Sequence, residues 1–128
     1  MDTSVWSLAL RKGGPADHPA VRKLNAFLVG DEDLFLSGLI LQEILQAFRE
    51  DATFRRLITY FEPFSLLPLG RGSYIAAADL HRNCRSKGIS VTTADCQIAT
   101  AAVENDCLLL TADKDFEHIA GHSGLKLA

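Results

Sequence analysis

The apolar run Cys107-Leu108-Leu109-Leu110 follows a helical pattern and ends among acids. A run this short suits a strand covered on both faces of a parallel sheet. Asp95 falls in the first turn of the helix before it, and Ile98, Ala99, Ala102 and Val103 follow at helical spacing as a buried stripe. Asn105-Asp106 breaks that helix. The strand ends at Thr111-Ala112, and Asp113 and Asp115 come next with Lys114 between them. Sites in open α/β sheets form outside the carboxyl ends of the strands. Asp95, Asp113 and Asp115 are therefore aimed at one place.

The rest of the chain repeats this alternation. Val5, Leu8 and Ala9 suit a short helix that Gly13-Gly14-Pro15 ends. Asp17 can cap the next helix, whose stripe is Val21, Leu24, Phe27 and Leu28, and Gly30 stops it. Leu34 to Leu36 reads as a short buried strand. A helix from about Ser37 to Glu50 is apolar nearly all round, with only Gln42, Gln46 and Arg49 as a polar stripe. Glu43 falls on the side of Leu39, Ile40 and Ala47, where an apolar residue is expected. A helix from about Ala52 to Phe61 turns Phe54, Leu57, Ile58 and Phe61 inward. Phe64 to Leu69 reads as a strand. Arg71 to Ser86 reads as a long helix with Ile75, Ala78, Leu80 and Cys84 partly buried, and Gly88 stops it. A short helix from Asp115 to Ala120 and a strand near Leu125 to Leu127 close the chain. Helices alternating with short apolar strands imply an α/β domain, residues 1–128, with a mainly parallel central sheet flanked by helices.

The chain has 128 residues, which suits one domain with a core and not two. Its net charge of −3 provides no long-range basic field for nucleic acid, so a polyanionic substrate must be held by something else. Three cysteines without a C-x-x-C pair argue against a zinc site or disulfide framework and fit a reducing cytoplasm. No apolar run is long enough to span a membrane, and no basic, apolar leader is visible.

Each acid also has an ordinary reading. Asp2 suits a solvated terminus. Glu43 can snorkel, although a carboxylate on an apolar face is costly unless paired or metal-bound. Thr92-x-x-Asp95 has the form of a capping box, which does not exclude a metal role, because only one oxygen need serve the backbone. Asp113 and Asp115 suit the turn and cap of the last helix. Ser4 and Thr111 suit turns. His18, His81, His118 and His122 share no metal-ligand spacing. Arg55-Arg56 and the Arg82, Arg85, Lys87 group suit solvated faces or phosphate contacts.

The combination is more specific than its parts. Asp2-Thr3-Ser4-Val5-Trp6, Leu36-Ser37 through Gln42-Glu43-Ile44-Leu45, Asp95-x-x-Ile98-Ala99 and Leu110-Thr111-x-Asp113-x-Asp115-Phe116 together resemble the PIN domain, and within it the VapC-type toxins. The resemblance implies an endoribonuclease dependent on Mg²⁺ or Mn²⁺, usually a homodimer, held inactive by an antitoxin encoded beside it. Carried over by position, it implies Asp2, Glu43, Asp95 and Asp113 as metal-binding acids, with Asp115 as a helper. One departure is that only Met1 precedes Asp2, where relatives carry a few apolar residues of a central strand. Either coding sequence extends upstream, or Thr3 to Val5 supply that strand.

Clustered carboxylates suit this chemistry. Hard oxygen donors hold a divalent cation, which offsets the charge of a phosphodiester and its transition state. Hydrolysis by activated water, leaving a 5′-phosphate and a 3′-hydroxyl, is favoured over histidine-driven attack, since no His pair falls among the motifs. A phosphoacceptor receiver domain needs an Asp at a mid-chain strand end, where this chain has Ser37 and Gly70. A haloacid-dehalogenase-like phosphatase needs a second Asp where this chain has Ser4. A PIN fold without activity, serving only to bind a partner, is the remaining alternative.

Overall fold

Ser37 ends the first strand and starts the first helix. In the computed structural model, which describes residue 22, residues 35–111 and residues 113–128, β1 is Phe35–Ser37 and α1 is Gly38–Gln46. The Ser37 side chain accepts the Ile40 N–H at 3.1 Å, which satisfies one of the free donors of the helix start. Asp2 and, apart from Arg22, the helices expected before Leu34 lie outside the described residues.

The helix expected to reach Glu50 stops at Gln46. The chain turns through Ala47 and re-enters a helix at α2, Asp51–Phe61, with Glu50 extended at its cap. No glycine or proline marks this break, and the apolar periodicity runs across it through the half-buried Phe48. A chain turn lets α1 and α2 pack on each other where one long helix could not. After α2, Pro63 and a cluster of rings close the turn. Phe61 and Phe64 meet edge to face at 5.6 Å between centroids. Strand β2, Ser65–Leu67, then pairs with β1 in parallel, Leu36 opposite Leu66.

Helix α3, Arg71–Ser86, keeps its expected bounds and packs along α4, Thr93–Glu104. Ser73 ties the start of α3 to the end of α4. It accepts the Gly70 N–H at 3.1 Å and donates to Glu104 Oε2 at 2.6 Å. Helix α4 is covered on most sides, burying Cys96, Ile98, Ala99, Thr100, Ala101 and Ala102. Its small side chains allow neighbouring elements to come close. The last helix, α5, spans Asp115–Gly121 and anchors itself by the buried Phe116 and Ile119.

Both α3 and α4 end in a left-handed turn. Beyond α3, Gly88 has φ +75°, Gly88 N–H donates to Arg85 O and Ile89 N–H to Cys84 O at 2.9 Å. Beyond α4, Asp106 takes the same place with φ 51°, and Cys107 N–H donates to Ala102 O at 2.8 Å. These are Schellman closures, and they return Ile89 and Cys107 toward the core.

Several inward assignments are corrected. In α2, Leu57 and Phe61 are buried, but Phe54 and Ile58 are 39% and 45% exposed. The apolar stripe of α2 is wider than the face it buries, and these two lie on its flank. In α3, Ser73 and Ala77 are buried, while Ala78 is exposed and Ile75 is 65% exposed. Val103 in α4 is exposed too. The run Cys107–Leu110 is not covered on both faces, since Leu109 and Leu110 are buried and Leu108 is 60% exposed. Among the described residues it carries one parallel bridge, Leu109 to Leu127, with Leu109 N–H to Lys126 O and Ala128 N–H to Leu109 O both at 2.9 Å. The described architecture is thus five helices with a small parallel sheet, an α/β fold.

Asp106 holds a conformation that costs an L-residue about 1 kcal/mol and costs glycine almost nothing. Asp106→Gly is therefore expected to raise stability by up to about 1 kcal/mol in denaturant unfolding. A loss of stability would mean that the Asp106 side chain supports the turn.

Candidate functional site

Asp95 is placed by the start of α4. Thr92 is the N-cap, with φ −86° and ψ 161°, and its hydroxyl oxygen accepts the Asp95 N–H at 3.0 Å. The Asp95 carboxylate in turn is hydrogen-bonded by the Thr92 backbone and side chain. The Thr92 side chain thus supplies the N-cap bond of the box that Thr92-x-x-Asp95 suggested. The carboxyl stays half-buried, and burial is the largest influence on it, raising its pKa above the ordinary value of 3.8. The Thr92 hydrogen bonds oppose that rise, and the negative charges of Asp113 and Asp115 add to it.

Asp113 is placed by the turn after Leu110. Its N–H donates to Thr111 Oγ1 at 2.9 Å, and its own Oδ1 accepts the Asp115 N–H at 2.9 Å. It therefore serves the turn into α5, as the turn reading expected, although the N-cap is Lys114 and neither aspartate, and one of its oxygens is committed to the backbone. Asp115 opens α5 and is exposed. The buried Phe116 beside it fixes the helix to the core. Two segments separated in sequence, the N-terminus of α4 and the entry to α5, thus bring three carboxylates within electrostatic reach.

Glu43 is half-buried on α1, between the buried Ile40 and Ile44, and α1 packs on α4. Asp2 lies outside the described residues. Among the described residues no three His, Cys, Asp or Glu side chains come together closely enough to form a complete metal-ligand set. What is present is a pair of segments carrying oxygen donors and excess negative charge, which is the chemistry a hard divalent cation takes.

Cys96 follows Asp95 and faces the interior. Burial raises its thiol pKa to about 11, with smaller contributions from Cys84 and Asp95, so it remains a neutral thiol at neutral pH. A second feature had no signal in the sequence. The helices α3 and α4 leave a cavity of about 430 Å³ between them, against the first turns of α4. Of the residues around it, the sequence marks His81 only as a histidine without metal spacing, Arg82 as part of a basic group and Ala78 as partly buried.

The PIN domain family model matches residues 1–122. The chain belongs to the PIN domain family. Solved structures share its fold. VapBC2 from Rickettsia felis, bound to a DNA fragment from their promoter, matches with a TM-score of 0.77 at 16% identity, covering 99% of this chain and 94% of that one. FitAcB from Neisseria gonorrhoeae matches with a TM-score of 0.74 at 20% identity, covering 98% and 93%. VapBC-1 from nontypeable Haemophilus influenzae matches with a TM-score of 0.72 at 16% identity, covering 99% and 93%. The sequence resemblance and the family model thus name the same family.

The pKa of Asp95 has a direction that can be tested. A carboxyl whose folded pKa lies above its unfolded value binds more protons folded than unfolded in the window between them. Stability contributed there is present below the unfolded pKa and falls as pH rises through the folded pKa. In metal-free buffer, Asp95→Asn is expected to remove part of that fall and to melt at or above wild type at pH 7. Equal slopes with pH, together with a lower melting temperature for the variant, would show that capping outweighs the charge.

Proposed function

We propose that the protein is an endoribonuclease that hydrolyses RNA phosphodiester bonds with Mg²⁺ or Mn²⁺, and that it is the toxin of a VapBC-type toxin–antitoxin pair. The observation that carries this reading is the convergence of Asp95, Asp113 and Asp115, where burial first and the charges of the other two aspartates next raise the Asp95 pKa and disfavour its anion. A cluster of this kind is unfavourable without a cation and is useful with one. Two carboxylates ~5 Å apart repel by roughly 3 kcal/mol at an effective dielectric of 20.

Asp95 and Asp113 would hold the ion with Glu43 and Asp2, and Asp115 would assist. When bound, the ion offsets phosphate charge and lowers the pKa of a coordinated water. The chain's part is orientation. Thr92 fixes Asp95 at the helix start, and Thr111 with the Asp115 N–H fixes Asp113. Both ligands are therefore set before substrate arrives, so little ordering remains to be done on binding. The half-buried setting of Asp95 limits competing solvent.

The flank of α2 supports the partner reading. Phe54 and Ile58 are exposed side by side, with Tyr60 and Leu66 also exposed nearby in sequence. Exposed apolar patches mark interaction sites. We assign this flank to the cognate antitoxin or to a second copy of the chain in a homodimer. Ile58→Asp is expected to weaken that association at least tenfold in light scattering or pull-down with the antitoxin, without lowering the melting temperature of the free chain. Unchanged association in both assays would remove α2 from the interface.

The enzyme is tested by adding Mn²⁺ to wild type, Asp95→Asn and Asp113→Asn. At a hundred times the dissociation constant, the metal should stabilise wild type by about 2.7 kcal/mol. Both variants should lose that stabilisation and RNA cleavage together. An equal response of all three proteins would make these acids structural caps, and a purely partner-binding PIN fold would then account for the chain.

A further inference from the structure

The cavity between α3 and α4 has the size of a small-molecule site and a mixed lining. Ala77 and Cys96, both buried, form its floor. Tyr74 stands at one wall, 51% exposed, with the half-buried His81 and the exposed Arg82 both about two turns further along α3. Thr93 and Gln97 of α4 form the other wall. The floor is small and uncharged, one wall carries an aromatic face and a cation, and the opposite wall carries a hydroxyl and a carboxamide.

We propose that this groove is a subsite for one nucleotide of a single-stranded RNA, next to the linkage that is cut. The proposal rests on the nuclease reading for its substrate class. Tyr74 provides a face for a base to stack on, which is the sequence-tolerant element of single-strand binding. Gln97 and Thr93 offer hydrogen-bond donors and acceptors to a base edge. Arg82 meets the phosphate.

Charge decides among occupants. The protein carries a net charge of −3, yet Arg82, Arg85 and Lys87 gather toward the end of α3 that the groove approaches. An anionic strand is complementary to that helix end and is repelled by the acids at Asp95 unless a cation is present. Position agrees with this. Thr93 and Gln97 lie about half a helical turn round α4 from Asp95, so the groove and the acids are about one helix diameter apart, ~10 Å. An occupant of the groove is then a neighbour of the cleaved nucleotide and not that nucleotide itself. The subsite would give the enzyme a base preference to one side of the cut and compensate for its weak overall field.

The test measures binding and location without turnover. A labelled, mixed-sequence single-stranded RNA carrying photoreactive thio-uridine is titrated at 4 °C into wild type, Tyr74→Ala and Arg82→Ala with Ca²⁺ in place of Mn²⁺, so that a cation offsets the acids, followed by crosslinking and peptide mapping. Each variant is expected to bind about tenfold more weakly, and the wild-type crosslinks should fall on the peptide containing Tyr74. Arg82→Ala should also reduce the slope of log affinity against log salt by roughly 0.7, the loss of one phosphate contact on a single strand. Both side chains are exposed, so the folds should be unchanged by circular dichroism. Wild-type affinity in both variants, with crosslinks elsewhere, would overturn the groove even if the wild type cleaves RNA with Mn²⁺. Weakened binding with crosslinks at Tyr74 would uphold the groove even if no protein cleaves, and would then count against the nuclease reading alone. A change in subunit association with RNA affinity intact would make the groove a protein interface and overturn the proposal.

Discussion

The packing of α4 is the constraint from which the rest follows. Ala99, Ala101 and Ala102 are small enough for neighbours to approach this helix closely, and Ile98 and Cys96 fill the remaining gaps. Burial on most sides fixes the helix as a rigid axis. Its N-terminus then fixes Asp95, and its C-terminus fixes the turn into Cys107–Leu110. The entry to α5 follows from that turn, and Asp113 and Asp115 follow from the entry. The Ser73–Glu104 bond sets α3 against the same axis at 2.6 Å, so the groove between α3 and α4 depends on it as well.

A carboxylate in this position is held against its own preference. Burial favours the neutral acid, Thr92 favours the anion, and the neighbouring aspartates again favour the neutral form. No single influence explains the site. The Thr92 cap holds Asp95 at the start of α4, and burial with the two neighbouring aspartates leaves its anion disfavoured.

Much of the fold was legible because its punctuation is local. Gly88 and Asn105-Asp106 end α3 and α4 where the sequence predicts, and Thr92-x-x-Asp95 starts α4 by its capping pattern. Membership of the PIN domain family was legible from acids spread over most of the chain. The separation of α1 from α2 was expected, but not its start at Ala47, because no glycine or proline marks that place and the apolar pattern runs on to Phe48. Nor were the exposed Phe54, Ile58, Ile75 and Val103, since periodicity identifies an apolar stripe and not how much of it a neighbour covers. Of the candidate acids, the charges of Asp113 and Asp115 meet at Asp95, Glu43 stands half-buried on α1, and Asp2 lies outside the described residues. Tyr74 and Gln97 carried no motif at all. Their meeting depends on the register of two helices, which no local pattern encodes.

The central claim is that carboxylates brought together by α4 and α5 exist to hold a divalent cation. Anomalous diffraction from crystals soaked in Mn²⁺ tests it most directly. A single strong manganese peak within bonding distance of Asp95 and Asp113 oxygens, ~2.0–2.3 Å, is the expected result. Saturating manganese with no peak there, or peaks only at unrelated surface acids, would contradict the account.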